Sequence, residues 1–375
     1  MTTTPRPAPR RSAPTESRPD AWFARRRSVP AGDRRSGRRA PHAALLAAAL
    51  LAACGDSGGG GEDGADGDTL TIGLTYVPDV QFAPFYVAEE RGYFEDEGVE
   101  VELRHHGASE GLFTAAEAGE EDVVVAGGDE MLQAVAQGAG LTTVATMYQE
   151  YPVAILAPQD SGLASLEDLS GSSVGVPGEF GETWFGLQAA LASMPDGGES
   201  VEVETIGFTQ VSALTAGHVD AVVGYVNNDA VSLERAGTPV TEIPLGDDVP
   251  LVGVGLVATD AALSEREEEV AAVVRAVLRA MDDVVADPEA AVDVSATHVP
   301  DLTEPEARES ALAVATATAE LYGAEEQRGE IDVARWRSMA EFMSGAGLLE
   351  GEVDAEAAVR ALPDTPVLVA DRAVG

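Results

Sequence analysis

The 375-residue chain contains no lysine and only one cysteine, Cys54. A single cysteine excludes an intramolecular disulfide and any zinc or iron–sulfur site built from several cysteines. Without lysine, no cofactor or substrate can be held as a Schiff base to the protein. Aromatic residues make up 5% of the chain, but hydrophobic residues reach 45%, which is enough for a sizeable core and excludes wholesale disorder.

Positive charge is scarce beyond the N-terminus. Eleven of the 23 arginines precede residue 41, whereas only three acidic residues precede Cys54. From Cys54 onwards, 12 arginines stand against 62 acidic residues, which gives that part a formal net charge of −50. Such a negative body repels phosphate backbones, and nucleic acid is therefore excluded as a partner.

The N-terminal region has the features of a secretion signal. An arginine-rich stretch precedes the apolar run 43–53, which ends at Cys54. Its eleven residues are too few to span a bilayer as a helix, which needs about 20. The tetrapeptide Leu-Ala-Ala-Cys at 51–54 resembles a lipobox, whose cysteine is lipidated and becomes the mature N-terminus. We expect 1–53 to be a signal peptide, and 54–68, rich in Gly and Asp, to be a lipid-anchored flexible tether.

The body alternates strand and helix patterns. Apolar runs predict strands at 70–75, 99–103, 122–126, 142–147, 153–157, 173–176, 201–206, 221–225 and 251–258. Helix patterns separate these strands and dominate the C-terminal part, at 267–286, 288–298, 304–321, 333–344 and 355–362. Strands that alternate with helices indicate βαβ units and a parallel sheet. The chain is therefore predicted to be an α/β protein with two lobes, an interlobe cleft and a helical C-terminal segment.

Unusual residues follow four of the predicted strands, at 76–81, 127–130, 177–182 and 225–229. Ligands of open α/β sheets bind beyond the carboxyl ends of the strands. We therefore expect these four segments to converge on one cleft.

Two of these segments place carboxylates where a helix begins. In the first, Gly127 and Gly128 let a ligand approach closely while Asp129 and Glu130 grip it, or Asp129 simply caps the helix. In the second, Glu182 occupies a helix N-terminus, where an anion otherwise binds. A sulfonate or phosphate would meet that carboxylate unfavourably, whereas a neutral or cationic heterocycle would not. Alternatively, Glu182 only complements the helix dipole.

The last segment, Tyr-Val-Asn-Asn-Asp at 225–229, can recognise a ring through matched donors and acceptors, or it can be a polar turn. The Asp229 carboxylate is suited to accept hydrogen bonds from a ring N–H and an exocyclic amine. The sparse aromatic residues recur at strand ends and helix starts, which favours a planar ligand, although each could belong to the core; they are Tyr76, Phe82, Phe85, Tyr148, Tyr151, Phe180, Trp184 and Tyr225. The pair His105-His106 has no third metal ligand nearby and predicts a solvated loop.

Four segments carry a family resemblance: 71–103, 126–138, 165–184 and 217–229. Their sequences resemble those of SsuA-like solute-binding proteins of ABC importers, a superfamily that includes ThiY-like binders of thiamine pyrimidine precursors and RibY-like riboflavin binders. The resemblance implies a type II periplasmic-binding-protein fold with lobe 1 at 69–147 and 256–365 and lobe 2 at 148–255. It also implies a hinge near Met147, Tyr148 and Gly255.

The same resemblance implies a cleft that closes on its ligand and then docks on a membrane permease. The residues that would line this cleft are Gln81, Phe82, Asp129, Glu130, Tyr148, Phe180, Glu182, Trp184, Tyr225, Asn227, Asn228 and Asp229. Asp229 departs from the family pattern, in which a glutamate is expected, and the shorter side chain puts its ligand contact in doubt.

Together these features predict a monomeric, extracytoplasmic lipoprotein that captures riboflavin or a thiamine pyrimidine precursor, without catalysis, cofactor or metal. A binder of a sulfonate or nitrate on the same scaffold is the first alternative, and the negative charge weighs against it. The second alternative is a pyrimidine synthase of the same fold family, which uses pyridoxal phosphate held by a lysine. The missing lysine and the export signal disfavour such an enzyme.

Overall fold

A computed structural model of the chain describes residues 69–107, 110–246, 249–349 and 351–372. The predicted signal peptide, the lipidation site Cys54 and the tether lie outside these residues.

The first part of the body alternates strands and helices, as predicted. Its elements are β1 (Thr69–Leu74), α1 (Ala83–Glu90), α2 (Tyr93–Asp96), β2 (Glu100–His105), α3 (Thr114–Ala118), β3 (Val123–Gly127), α4 (Gly128–Ala136) and β4 (Leu141–Thr146). Every residue of β3 is buried, as expected of a strand covered on both faces. A short 3₁₀ turn, Val80–Phe82, precedes α1, and the Asp79 side chain caps it by accepting from the backbone N–H of Gln81.

The second part repeats this alternation. Its elements are β5 (Val153–Pro158), β6 (Ser173–Val176), α5 (Gly181–Ser193), β7 (Glu202–Thr205), α6 (Gln210–Thr215), β8 (Ala221–Tyr225), α7 (Val231–Arg235) and β9 (Val240–Ile243). A 3₁₀ turn, Leu166–Leu169, precedes β6, and a π-helical turn, Val226–Ala230, joins β8 to α7.

The C-terminal part is mainly helical. Its elements are β10 (Val254–Thr259), α8 (Asp260–Glu265), α9 (Glu267–Ala286), α10 (Pro288–Ser295), α11 (Pro305–Leu321), β11 (Ile331–Asp332), α12 (Val333–Gly345) and β12 (Val369–Ala370), with 3₁₀ turns at Pro300–Thr303 and Glu325–Gln327. Glutamates fill the first turn of α9, where they complement the helix dipole. No helix in the described part of the chain combines the length and the apolar character needed to cross a bilayer.

The strands form two five-stranded sheets. The first has the order β2-β1-β3-β10-β4, and the second has the order β7-β6-β8-β5-β9. In each sheet four strands run in the same direction, and one antiparallel strand, β10 or β5, lies between the third of them and the edge strand β4 or β9. The carboxyl ends of β1 and β3 therefore share one edge, as do those of β6 and β8 in the second sheet. The α/β class predicted from the sequence is confirmed.

Helix α11 links the two halves of the molecule. It packs against α9 and α10, which pack in turn against α1 of the first half, and against the π-helical turn that follows β8 of the second sheet. One hydrogen bond in this contact runs from Asn227 Nδ2 to Thr318 Oγ1 over 2.9 Å. The helical C-terminal segment therefore reaches both sheets.

Two sequence-based expectations require correction. Residues 355–362 form turns rather than a helix, because the backbone around Ala358 and Arg360 pairs with Thr143 at the edge of the first sheet. His106 is buried rather than solvated, since its Nε2 lies 2.8 Å from a carboxylate oxygen of the buried Glu121. Gly255 lies inside β10, and the second connection between the sheets, described at 244–246 and 249–253, ends just before that strand.

The two connections between the sheets, 147–152 and 244–253, run so close together that Gly253 has no room for a side chain. A Cβ atom there would lie 2.5 Å from the Tyr148 carbonyl oxygen and 3.0 Å from that of Glu150. Both obstacles are backbone atoms, which cannot rotate away. Glycine is therefore required where the chain passes from one sheet to the other.

We predict that Gly253→Ala lowers the free energy of unfolding by about 2 kcal/mol, because the added methyl group must push two backbones apart. Urea denaturation of the full chain measures this loss. The matched control is Gly345→Ala, whose Cβ would meet open space at the end of α12. Equal stabilities of the two variants would contradict the close approach at Gly253.

Candidate functional site: a buried carboxyl cluster between the sheets

Asp129 and Glu130 open helix α4 directly after the buried strand β3. The Asp129 side chain is fully buried. Its Oδ1 accepts from the backbone N–H of Glu130 at 2.8 Å, and its Oδ2 accepts from the Tyr151 hydroxyl at 2.6 Å. The Glu130 carboxylate folds back to accept from the backbone N–H of Gly127 at 3.2 Å. Asp129 and Glu130 thus accept hydrogen bonds from the backbone at the start of α4, and Asp129 also accepts one from a polar side chain. The two alternatives offered by the sequence, helix capping and a polar site, are therefore both present.

Glu182 approaches the same place from the second half of the molecule. It is the second residue of α5, and its side chain is 3% exposed. The Tyr225 hydroxyl, at the end of β8, donates to Glu182 Oε2 at 2.7 Å. Glu182 Oε1 is buried and has no hydrogen-bond partner. The Tyr151 hydroxyl lies 2.9 Å from the Glu182 carbonyl oxygen, so one tyrosine contacts both halves.

Gly127 makes room for the two carboxyls to meet. A Cβ atom on Gly127 would lie 2.7 Å from Asp129 Oδ1 and 2.7 Å from Glu182 Oε1. Because Asp129 Oδ1 and Glu182 Oε1 lie at the same distance from this Cβ position, they are separated by no more than twice that distance. The free oxygen of Glu182 therefore faces the Asp129 carboxyl across the bare α-carbon of Gly127. We call Asp129, Glu130 and Glu182 the carboxyl cluster.

Burial without a neutralising cation raises the pKa of each carboxyl in the cluster. Burial raises the pKa of Asp129 to about 6, although hydrogen bonds from Tyr151 and Glu130 oppose the shift. Burial and the charge of Asp129 raise the pKa of Glu130 to about 8. Burial, with the charges of Asp129 and Glu130, raises the pKa of Glu182 well above its usual range. The N-terminus of α5 favours the ionised form of Glu182, but these effects outweigh it, and the cluster holds protons at neutral pH.

The segment after β8 adds further buried polar groups. Asn227 is fully buried, and its Oδ1 has no hydrogen-bond partner. Asp229 folds back so that its Oδ2 accepts from the backbone N–H of Tyr225 at 2.9 Å. Burial raises the pKa of Asp229 to about 6. Asn228, between them, is half-buried. The predicted strand-end turn is thus a π-helical turn whose acid engages its own backbone.

The segment after β1 lies beside this turn. The 3₁₀ turn Val80–Phe82 and the π-helical turn Val226–Ala230 both pack against α11. Burial, then the charges of Asp79 and Asp229, raise the pKa of Tyr76. Gln81 binds Asp79 through its backbone, and the Phe82 ring packs edge-on against His105 with centroids 5.6 Å apart. The four strand-end segments therefore lie at one junction between the sheets.

The predicted aromatic residues occupy different environments. Tyr148 is buried, and its pKa is raised by burial and by the neighbouring groups of Tyr322, Glu182 and Asp79. Trp184 is half-buried against the core. Phe180, in contrast, is 57% exposed and pairs with the exposed Phe208, whose ring centroid is 6.2 Å away. Phe180 therefore lies at the surface of the second half rather than within the cluster.

Three polar contributors lie outside the predicted set of site residues. Tyr151 holds the cluster together, and Thr318 and Tyr322 reach the junction from the C-terminal helical segment. The aromatic pattern had included Tyr151, but only its position between the sheets reveals that its hydroxyl reaches Asp129. Nothing in the local sequence of α11 marks Thr318, because its role depends on packing against a distant turn.

A separate cavity of about 680 Å³ lies between α7, β9 and α11. Its lining includes the exposed carboxylates of Glu234, Glu242 and Glu320. No predicted site residue lines it. Two buried acceptor atoms without a partner, Glu182 Oε1 and Asn227 Oδ1, lie instead at the carboxyl cluster and the turn beside it, and both belong to predicted site residues. For this reason we regard that junction as the candidate site.

A family model described as NMT1/THI5 like matches residues 79–291, more than half of the chain. The chain belongs to this family. The riboflavin-binding protein RibY of Chloroflexus aurantiacus is 34% identical over 298 residues, which cover 77% of this chain and 84% of that protein. The formylaminopyrimidine-binding protein of Halalkalibacterium halodurans is 26% identical over 306 residues, which cover 79% and 91%.

Enzymes of the family are also similar to this chain. The 4-amino-5-hydroxymethyl-2-methylpyrimidine phosphate synthase of Legionella pneumophila is 25% identical over 166 residues, which cover 44% of this chain and 52% of that enzyme.

Among solved structures, the alkanesulfonate-binding protein SsuA of Xanthomonas axonopodis pv. citri superposes with a TM-score of 0.61 at 18% identity and covers 80% of this chain and 100% of that one. This likeness confirms the periplasmic-binding-protein fold predicted from the sequence.

We predict that the free energy of unfolding falls as the pH rises from 5 to 8. The folded cluster keeps protons that the unfolded carboxyls lose near their usual pKa, so the unfolded state binds fewer protons in this window. Each proton held only by the folded state contributes a slope of about 1.4 kcal/mol per pH unit. Urea denaturation of the full chain at several pH values measures the slope.

Glu130→Gln is expected to flatten this dependence, since the amide does not titrate. The exposed Glu120→Gln, on the loop before β3, is the matched control and should leave the slope unchanged. A wild-type stability that stays level or rises between pH 5 and 8 would show that the cluster is not protonated as described.

Proposed function

We propose that this protein is an extracytoplasmic solute-binding protein of an ABC importer that captures a planar nitrogen heterocycle, riboflavin before any other. The observation that carries the proposal is the carboxyl cluster, to which both halves of a periplasmic-binding-protein fold contribute. Tyrosine hydroxyls hold both Asp129 and Glu182, so the site offers oriented donors and acceptors rather than positive charge. The 34% identity to a riboflavin-binding protein supports this ligand class.

The two sheets provide the geometry that a clamp requires. We infer that they form the cores of two lobes, with boundaries near those expected from the sequence, and that the connections 147–152 and 244–253 act as the hinge. The cluster lies between the lobes, so a ligand held there contacts both and stabilises the closed form. The closed form is the state that a permease recognises.

A sulfonate or nitrate binder is disfavoured by the chemistry of the cleft. Anion sites in such folds use helix N-termini and basic side chains. Here the N-terminal turns of α4 and α5 already hold buried carboxyls. An added anion would lie beside three acids, so the likeness to SsuA supports the fold and not its ligand.

A pyrimidine synthase is disfavoured by a missing residue type. A synthase that uses pyridoxal phosphate bound to a lysine cannot be built from this chain, because it has no lysine. The two binding proteins match 77% and 79% of the chain, whereas the Legionella enzyme matches 44%. We therefore propose that the chain binds and delivers its ligand unchanged.

Export and anchoring complete the proposal. The N-terminal run that ends at Cys54 supports secretion, lipidation of that thiol and tethering to the cell membrane. A monomer held there by a lipid and a flexible segment stays close to its permease.

We predict that riboflavin quenches the tryptophan fluorescence of the full chain in a saturable manner, because Trp184 follows Glu182 by two residues on α5. Taurine, an alkanesulfonate, should leave the fluorescence unchanged, and an aminopyrimidine should bind more weakly than riboflavin. Fluorescence titration measures all three affinities. The variant Trp184→Phe should lose most of the quenching while it retains riboflavin binding in calorimetry. Saturable binding of taurine without binding of either heterocycle would overturn the proposed ligand class.

A further inference from the structure

Glu182 Oε1 is a buried polar atom whose partner is missing. The side chain is 3% exposed, and its other oxygen is occupied by the Tyr225 hydroxyl at 2.7 Å. Leaving a buried polar atom without a hydrogen bond costs about 1–3 kcal/mol, so such atoms are normally paired. This oxygen lies over the bare α-carbon of Gly127 together with Asp129 Oδ1, which is another acceptor when ionised.

Burial and two neighbouring acids oppose a charge on Glu182, and they outweigh the Tyr225 hydrogen bond and the N-terminus of α5, which favour it. Asp129 and Glu130 on α4 add negative charge, while Tyr151 and Tyr225 supply hydroxyls that donate to acceptors and carry no positive charge. No cationic side chain appears among the contacts of these five residues in the described part of the chain. A ligand that contacts Glu182 therefore contacts a carboxyl whose protonated, neutral form is favoured.

A neutral carboxyl recognises a different ligand edge from a carboxylate. Because Glu182 Oε2 accepts a hydrogen bond from the Tyr225 hydroxyl, we place the carboxyl proton on Oε1. Oε1–H is then a hydrogen-bond donor. The side chain thereby presents one donor and one acceptor in a single plane. This pattern pairs with an adjacent C=O and N–H of a lactam or imide ring. An ionised carboxylate instead presents two acceptors, which match the two donors of a protonated, basic ring.

We propose that Glu182 recognises its ligand as a neutral acid and selects a non-basic lactam or imide ring, such as the pyrimidinedione part of a flavin, rather than a protonated aminopyrimidine. Oε1–H donates to the ring carbonyl, and Oε2 accepts from the ring N–H while it keeps its bond from Tyr225. The inference rests on the proposed function and identifies the chemical class of the ligand within it.

The isosteric amide tests this inference, because glutamine offers the same donor and acceptor but cannot ionise. Glu182→Gln should bind riboflavin within about threefold of wild type, whereas Glu182→Ala should lose about thirtyfold through the loss of two hydrogen bonds. Riboflavin methylated at the imide nitrogen should bind the wild-type chain at least about tenfold more weakly, since it lacks the N–H. Calorimetry with the full chain measures each affinity, and circular dichroism checks that the variants fold.

The control is Glu179→Gln on the loop just before α5, an exposed acid that should leave every affinity unchanged. A loss of tenfold or more in Glu182→Gln would show that the charge is needed and would overturn the inference, as would equal binding of the methylated flavin. Both results leave riboflavin binding by the wild type, and hence the proposed function, intact. Failure of the wild-type chain to bind any flavin or aminopyrimidine would overturn the proposed function and the inference with it.

Discussion

The burial of Asp129 and Glu182 beside the half-buried Glu130 is the constraint on which this structure depends. Mutual repulsion and lost hydration make it costly to ionise all three carboxyls of the cluster. Asp129, Glu130 and Glu182 therefore retain protons and accept hydrogen bonds from neighbouring groups. Tyr151 and Tyr225 satisfy one oxygen of each of two carboxyls, from opposite halves of the molecule. Glu182 Oε1 and Asn227 Oδ1 remain without a partner among the described residues, and we propose that a ligand supplies one.

The fold explains why these acids meet. Parallel strands bring β1 and β3 to one edge and β6 and β8 to another, so the four strand-end segments face a common junction. Alternation along the chain predicts these elements well, because strand runs such as β6 and β8 are short, apolar and bounded by turns. It fails at 355–362, where helix propensity is local but the edge of the first sheet offers Thr143 as a backbone partner. In such segments, backbone pairing within the tertiary structure overrides local helix propensity.

The candidate site was partly predictable for the same reason. Carboxylates and glycines directly after strands marked Asp129, Glu130 and Glu182, and the structure brings these three together. Their electrostatics could not be predicted, since pKa values depend on which acids become neighbours in space. Tyr151 acquires its role only from the position of the first connection between the sheets. Phe180, placed by its segment in the predicted cleft lining, is instead largely exposed.

A crystal structure of the full chain grown with riboflavin tests the central claim most directly. We expect the ring between the two sheets, with its carbonyl and imide N–H about 3 Å from the two carboxyl oxygens of Glu182. A flavin bound instead in the cavity between α7, β9 and α11, with Glu182 Oε1 still unpaired, would contradict it.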